Sequence, residues 1–400
     1  MEERTLKQIV EASMSRRSVL RAGLLGSAAM LGGPLLAACS DDPGGEGTTS
    51  APSATEGGSG ADTLNVFSWS SYHDMPWIKE YEDDRGVTVN VQNVGSVQDM
   101  FSKVRADPGA FDLALATAGW IENYVDADLI VPVDESKITN LSNINSEFPW
   151  RDATTYLDEN YAILYTWGNQ PLCYLDDQVD GEPDSWAALY DPAFADGRVS
   201  LLDDPTTQLP FIGLMLGFED PYDMSESEFE EWKNKLFELR GAVNHVAASI
   251  DDQTQDFANE NVHIGVLYNI STWSSLTDDG VAFTQKIAKE GSPTWSDNYV
   301  ITKQGGANKL DLAYDFIDYT LSVPWQARFI ATSANNGVLS EEVATSQEAQ
   351  DAGLTEEALN ATLIPMSSES DFYPQLSLLR RVPNLEEWLD TWNEFKLGLG

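Results

Sequence analysis

Thr63-Leu64-Asn65-Val66-Phe67-Ser68-Trp69 is a β-rich run that opens the globular part of the chain. Residues 75–84 follow as a helix closed by Arg85-Gly86, and Val87-Thr88-Val89-Asn90-Val91 reads as a second strand. Val97, Met100, Phe101 and Val104 then recur at spacings of three and four, which predicts another helix. It leads into Phe111-Asp112-Leu113-Ala114-Leu115-Ala116, short and apolar enough to be a buried strand. Strand, helix, strand, helix, strand predicts a parallel α/β sheet.

The same grammar continues downstream. Ser225 caps a helix with Phe229, Trp232, Leu236 and Leu239 on one face, while Glu228, Glu230, Glu231 and Lys233 face water. Val262-His263-Ile264-Gly265-Val266-Leu267-Tyr268 is strand-like, and Leu310, Ala313, Tyr314, Phe316, Ile317 and Leu321 predict a buried helix that stops before Pro324. No internal repeat is present.

The chain has 400 residues, of which 42% are hydrophobic and 10% aromatic, with 12 Trp, 14 Tyr and 15 Phe. That is enough apolar surface to offset the entropy of ordering, so a disordered acidic chain is excluded and two domains or lobes are expected. Asp and Glu number 65 against 23 Lys and Arg, a formal charge of −42. Such a chain repels phosphate backbones, and without a basic stripe nucleic-acid binding is excluded as a function class.

Upstream of the globular part, residues 40–62 are Gly, Ser, Thr, Pro, Ala and acid, the composition of a flexible tether. Before it, Ser15-Arg16-Arg17-Ser18-Val19-Leu20 reads as a twin-arginine export signal, and the uncharged run 22–38 as its apolar region. Leu36-Ala37-Ala38-Cys39 resembles a lipobox, which implies cleavage before Cys39 and lipid on its sulfur. Residues 1–38 are thus expected to be a signal peptide, and 39–62 a tether from a lipid anchor on the outer face of the cell membrane. Removing residues 1–38 leaves 18 basic against 62 acidic residues, a charge of −44. With Cys39 so committed, Cys173 has no intrachain partner, and its apolar setting in Pro171-Leu172-Cys173-Tyr174-Leu175 marks it as a small buried hydrophobe.

Catalytic signatures are missing. His73, His245 and His263 are too far apart for metal-ligand spacing, and no nucleophile elbow, phosphate loop, dinucleotide fingerprint or EF-hand pattern occurs in the body. Acidic pairs such as Asp203-Asp204, Asp251-Asp252 and Asp278-Asp279 could supply an acid and a base, but adjacent carboxylates are expected by chance in so acidic a chain. No enzyme, cofactor or metal is expected; a secreted hydrolase is the competing class.

Phe67-Ser68-Trp69-Ser70-Ser71-Tyr72 resembles the opening of the periplasmic spermidine/putrescine-binding proteins of ABC importers, in the form of a haloarchaeal-type twin-arginine lipoprotein. The likeness continues through the Phe111–Thr117 segment, Tyr165-Thr166-Trp167-Gly168, the segment from Ser185 to Pro192, Ser200-Leu201-Leu202-Asp203-Asp204, Trp295-Ser296-Asp297 and Ala313-Tyr314-Asp315-Phe316-Ile317. The resemblance implies a two-lobed α/β fold of the type II periplasmic-binding kind, with a ligand cleft between lobes that close on the solute. It assigns 63–165 plus 296–345 to lobe 1 and 166–295 plus 346–400 to lobe 2, crossing near Trp167-Gly168. It also implies a monomer that delivers its solute to an ABC permease and ATPase.

Carried over by resemblance, the ligand-stacking aromatics of the first loop fall on Trp69 and Tyr72, and a hydroxyl at the end of the third strand on Thr117. An aromatic falls on Tyr268, the second-lobe carboxylate on Asp204, and the Trp-x-Asp pair on Trp295 and Asp297. These residue types suit a cationic ligand on their own terms, since an ammonium is attracted to aromatic faces by about 0.5–2 kcal/mol each and carboxylates add charge-assisted bonds. The chain also departs from the pattern. Thr207 stands where polyamine binders carry a second acid, and Gly119, beside Trp120, where a pocket Tyr is expected. The solute classes left open are a polyamine such as putrescine or spermidine, a betaine-like compound, or an amino-acid-like one, for which Arg380 and Arg381 could receive a carboxylate. The few acids assigned to the cleft are a small share of 62, so most of the charge reads as the surface of a protein living in concentrated salt.

Overall fold

The computed structural model describes residues 62–399 apart from 71, 196, 269–275, 277–279, 334 and 369–370. The signal peptide, Cys39 and the tether up to residue 61 lie outside the described residues.

Two sheets organise the body. In the first, β1 (Thr63–Trp69) pairs in parallel with β2 (Thr88–Val94) and β3 (Leu113–Thr117). The helices Ile78–Arg85 and Val97–Ala106 make the crossovers, as the sequence pattern predicts. Their ends are set locally. Gly86, at φ 67°, turns the first helix off by donating its N–H to Glu82, and Ser96 starts the second by accepting from the Asp99 N–H. β4 (Ile130–Val131) and a small hairpin of β5 (Thr155–Tyr156) and β6 (Glu159–Asn160) follow.

The chain leaves this lobe through β7 (Ile163–Asn169) and enters the second sheet at β8 (Leu172–Leu175), beside the expected crossing point. There β9 (Val199–Leu202), β10 (Val243–Ala247), β11 (Ile264–Val266) and β12 (Phe283–Lys286) complete the order β10-β9-β11-β8-β12. The strand expected over 262–268 is confined to three residues. β13 (Ser292–Thr302) then returns through the first sheet, buried along its whole length, antiparallel to both β3 and β7. A short β14 (Leu376–Leu378) adds to its start. Ser292, Thr294, Ser296 and Asn298 are buried as fully as Tyr299, so polarity along this strand does not mark a face that meets water, which hides its extent in the sequence.

Each sheet has its own core. Phe67, Leu115, Tyr299, Phe316, Trp325 and Phe329 belong to the first. Trp186, Trp232, Trp388 and Trp392 anchor the second, where the Trp232 and Trp388 rings stack at 4.5 Å. Cys173 is fully buried in a smaller cluster with Phe257 and Leu267, and burial pushes its thiol pKa up. The C-terminal part departs from the expected 346–400 assignment. Ala349, Leu354, Leu359, Ile364 and Phe372 pack into the first core, and the chain passes to the second only at Leu379 and Val382. The physical reason is that these are short amphipathic helices, whose apolar stripe can be buried equally well on either lobe.

Candidate functional site

In open α/β sheets the carboxyl ends of strands converge on one edge, leaving side chains free to point at a common space. Trp69 ends β1, Thr117 ends β3, Asp204 lies just past β9, and Tyr268 just past β11. β13 contributes Trp295 and Asp297, which share a face because side chains alternate along a strand. Register sets Asp297 opposite Thr117 on one side and Thr166 on the other.

Asp297 is the centre of the first half of the site. It is 5% exposed and accepts hydrogen bonds from the Thr117 hydroxyl at 2.6 Å and the Tyr72 hydroxyl at 2.8 Å. Burial raises its pKa to about 6, against the opposing pull of Thr117, Tyr72 and Trp69, all of which favour the carboxylate. The Tyr72 phenol is pushed well up by the same burial and by the neighbouring carboxylate. Trp69 is steadied by its indole N–H donating to the Leu115 carbonyl at 3.2 Å.

The second half gathers around Asp204, which is partly buried. The Tyr268 hydroxyl donates to it at 3.1 Å, the Thr206 hydroxyl at 3.3 Å, and the Thr207 and Tyr268 hydroxyls are 3.1 Å apart. Burial raises the Asp204 pKa, opposed by these hydroxyls. The Tyr268 and Trp295 rings, 6.0 Å apart and tilted by 55°, join the two halves. All eight residues singled out in the sequence therefore form one continuous constellation with a carboxylate at each end.

Residues to which the sequence assigns no role in the site hold it in place. Gln208 accepts from the Leu202 N–H at 2.7 Å, and donates to the Val266 carbonyl at 2.8 Å and to the Gln170 side chain at 3.2 Å. One amide thus fixes the ends of β9 and β11 and the crossing point. Tyr165 donates to the Tyr72 carbonyl at 3.0 Å and accepts from the Trp325 indole at 3.1 Å. His73 is wedged between Ser68, whose Oγ lies 2.7 Å from its Nδ1, and the Tyr299 hydroxyl. Burial pushes the imidazole down to about 3, so it is neutral at physiological pH. Ser68 and His73 sit at the separation of a nucleophile and its base, but both are 0% exposed, which denies any substrate an approach. Among the described residues no group of three or more His, Cys, Asp or Glu could hold a metal ion.

Beside the constellation lies a cavity of about 200 Å³ whose lining includes Gly119, Trp120, Thr206, Arg380 and Arg381. Gly119 has φ +83°, and a Cβ there would fall 2.6 Å from the Arg380 carbonyl, so the backbone after β14 occupies the space a side chain would need. Arg381 pairs with Asp126 at 2.7 Å and Arg380 faces Asp220 at 3.6 Å. Both arginines are thus held by surface acids, on an irregular segment.

Residues 76–356 match the family described as Bacterial extracellular solute-binding protein. Among curated relatives, the chain is 25% identical over 283 residues to a putrescine/cadaverine-binding protein of Pseudomonas aeruginosa, covering 65% of this chain and 75% of that one. It is 24% identical over 275 residues to the putrescine-binding periplasmic protein PotF of Escherichia coli, covering 65% and 73%. Among solved structures, the spermidine/putrescine ABC transporter substrate-binding protein PotD of Streptococcus pneumoniae superposes with a TM-score of 0.66 at 23% identity, covering 85% of this chain and 100% of that one. The TpPotD lipoprotein of Treponema pallidum gives 0.68 at 19% identity, covering 84% and 99%. These structural likenesses carry the fold, a two-lobed type II arrangement. The chain belongs to the bacterial extracellular solute-binding protein family.

Proposed function

We propose that this protein captures a small cationic solute, a polyamine such as putrescine or spermidine, at the seam of its lobes and delivers it to an ABC permease and ATPase. The observation that carries the reading is the pair of enclosed carboxylates, Asp297 and Asp204, separated by the Tyr268 and Trp295 rings. An alkylammonium gains charge-assisted bonds at the carboxylates and attraction to the aromatic faces between them, and lobe closure removes competing water. Thr207, in place of a further acid, leaves one carboxylate per end, which suits a diamine better than a triamine. The curated relatives named for putrescine support the same reading. The protein acts as a monomer tethered through lipid on Cys39 after twin-arginine export.

A second reading has its own support. Arg380 and Arg381 border the cavity next to Thr206, which would suit a solute bearing a carboxylate as well as an amine. Thermal melting of the purified protein at high salt, against putrescine, spermidine, glycine betaine, amino acids and sugars, tests both readings. Putrescine at about a hundred times its Kd is expected to raise the midpoint by about 5 °C. No shift with any amine would overturn the polyamine reading, and a shift confined to an amino acid would favour the second.

The charge of −42 supports a habitat in concentrated salt. The Debye length is about 10 Å at 0.1 M and about 3 Å at 1 M, so dilution exposes surface carboxylates to one another. Dialysis to low salt is expected to lower and broaden the thermal transition; a sharp, unchanged transition would count against a halophilic surface.

A further inference from the structure

The hairpin of β5 and β6 contradicts the local rules that its geometry imposes. Thr155 pairs with Asn160 and Tyr156 with Glu159, so Leu157 and Asp158 alone make the turn. Both have positive φ, 52° and 65°, as a two-residue turn of this twist requires. Asn-Gly or Asp-Gly is the favoured filling, because a branched side chain strains the left-handed region. Leu157 has no packing to offset that strain: it is 68% exposed. An apolar side chain held in a costly conformation and presented to water points to a use outside the folded chain.

The base of the hairpin is rigid. Arg151 grips Glu135 with two hydrogen bonds, at 2.8 and 3.1 Å, and the Asn160 amide donates to the same carboxylate at 2.8 Å. The Tyr156 hydroxyl donates to Asp126 at 3.1 Å, and Asp126 also receives Arg381 at 2.7 Å. Arg381 lies between Leu379 and Val382, both in the core of the second lobe. The tip therefore stands beside a contact through which the first lobe holds a segment rooted in the second, where a partner could sense whether the lobes are together.

We propose that Leu157 is a docking knob for the membrane-spanning subunit of the importer, entering an apolar socket rimmed by Lys and Arg. This rests on the importer reading given above. Charge selects among occupants. Asp158 and Glu159 are exposed at the tip, which disfavours an anionic lipid surface and a second copy of this acidic chain, and favours a basic rim. An aliphatic anchor seated in a pocket, with a rim of satisfied polar contacts, is one form a binding interface takes.

The test is photocrosslinking in intact cells with p-benzoylphenylalanine at position 157 of the full chain. The expected product is an adduct with the importer's membrane-spanning subunit, identified by mass. No adduct, a dimer of this chain, or a lipid adduct would overturn the proposal. With the crosslinker moved to position 158, Leu157→Asn is expected to cut the adduct about tenfold, and an undiminished yield would equally overturn it. Because Asn tolerates positive φ, the same substitution should raise the thermal midpoint by roughly 1–3 °C, which separates lost docking from lost folding. None of these readouts needs the solute, so a failed amine reading leaves them interpretable.

Discussion

Asp297→Asn is expected to weaken putrescine binding by about 100- to 1,000-fold while leaving the protein folded. Removing one partner of an enclosed, hydrogen-bonded charge pair costs about 2–5 kcal/mol, most of it from leaving the other charge unpaired. On the proposed reading the unpaired charge is the solute's ammonium, beside Trp69, Tyr72 and Trp295. Asparagine keeps the shape of the side chain, but the hydroxyls of Thr117 and Tyr72 donate to different carboxylate oxygens, at 2.6 and 2.8 Å, so its carbonyl accepts from one and its amide donates to the other hydroxyl oxygen. The empty protein should gain stability, since a buried charge with no cation beside it is replaced by a neutral amide. Calorimetric titration at high salt reads the affinity, and a thermal scan of the unliganded variant reads the fold. Unchanged affinity would remove Asp297 from the binding site. Lost affinity with a lowered midpoint would indicate a structural role instead.

How far the sequence reaches depends on whether a feature is local. The first three strands and their two crossover helices are legible because alternation, helical spacing and terminal residues such as Gly86 and Ser96 all act within one turn of chain. β7 and β13 are buried along their whole length, so the polarity of their residues does not mark where they begin or that they cross between lobes. The hairpin at Leu157 lacks the Asn-Gly or Asp-Gly pair that usually marks such a turn, and escapes notice for the reason that makes it interesting. The site is a harder case. Its eight side chains come from segments far apart in the chain, and only resemblance to a family named them. Their convergence depends on strand order and register, which residue type does not encode. The supporting roles of Gln208, Tyr165 and His73 are not legible by either route, because a buried polar side chain that satisfies its neighbours leaves no pattern in the sequence around it.

Binding is expected to weaken about tenfold per unit of pH below about 6 and to be flat above about 7. On the proposed reading the solute's ammonium pairs with the ionised form of Asp297, whose pKa burial raises to about 6 in the unliganded protein. Protonating it first removes the charge the cation seeks, so the apparent affinity follows the carboxylate fraction. Stability runs the other way. A carboxyl whose folded-state value lies above its unfolded one, near 3.8, holds its proton more tightly when folded. Its contribution to stability is therefore greatest below the unfolded value and is lost as pH rises between about 4 and about 6. The difference of about two units corresponds to about 3 kcal/mol. Unliganded, the protein gives up this stability over the range in which its affinity for a cation grows, and the bound cation restores it by pairing the exposed cost of the charge. Other carboxylates on so acidic a chain also titrate in this range, so the comparison that isolates Asp297 is wild type against Asp297→Asn. Their thermal midpoints should draw apart between pH 4 and 6, with the variant the more stable at pH 7, and amine affinity should fall more steeply below pH 6 in the wild type than in the variant, which keeps only Asp204. Parallel stability curves, or a wild-type affinity that does not respond to pH 5, would mean that the ammonium is not received by this carboxylate.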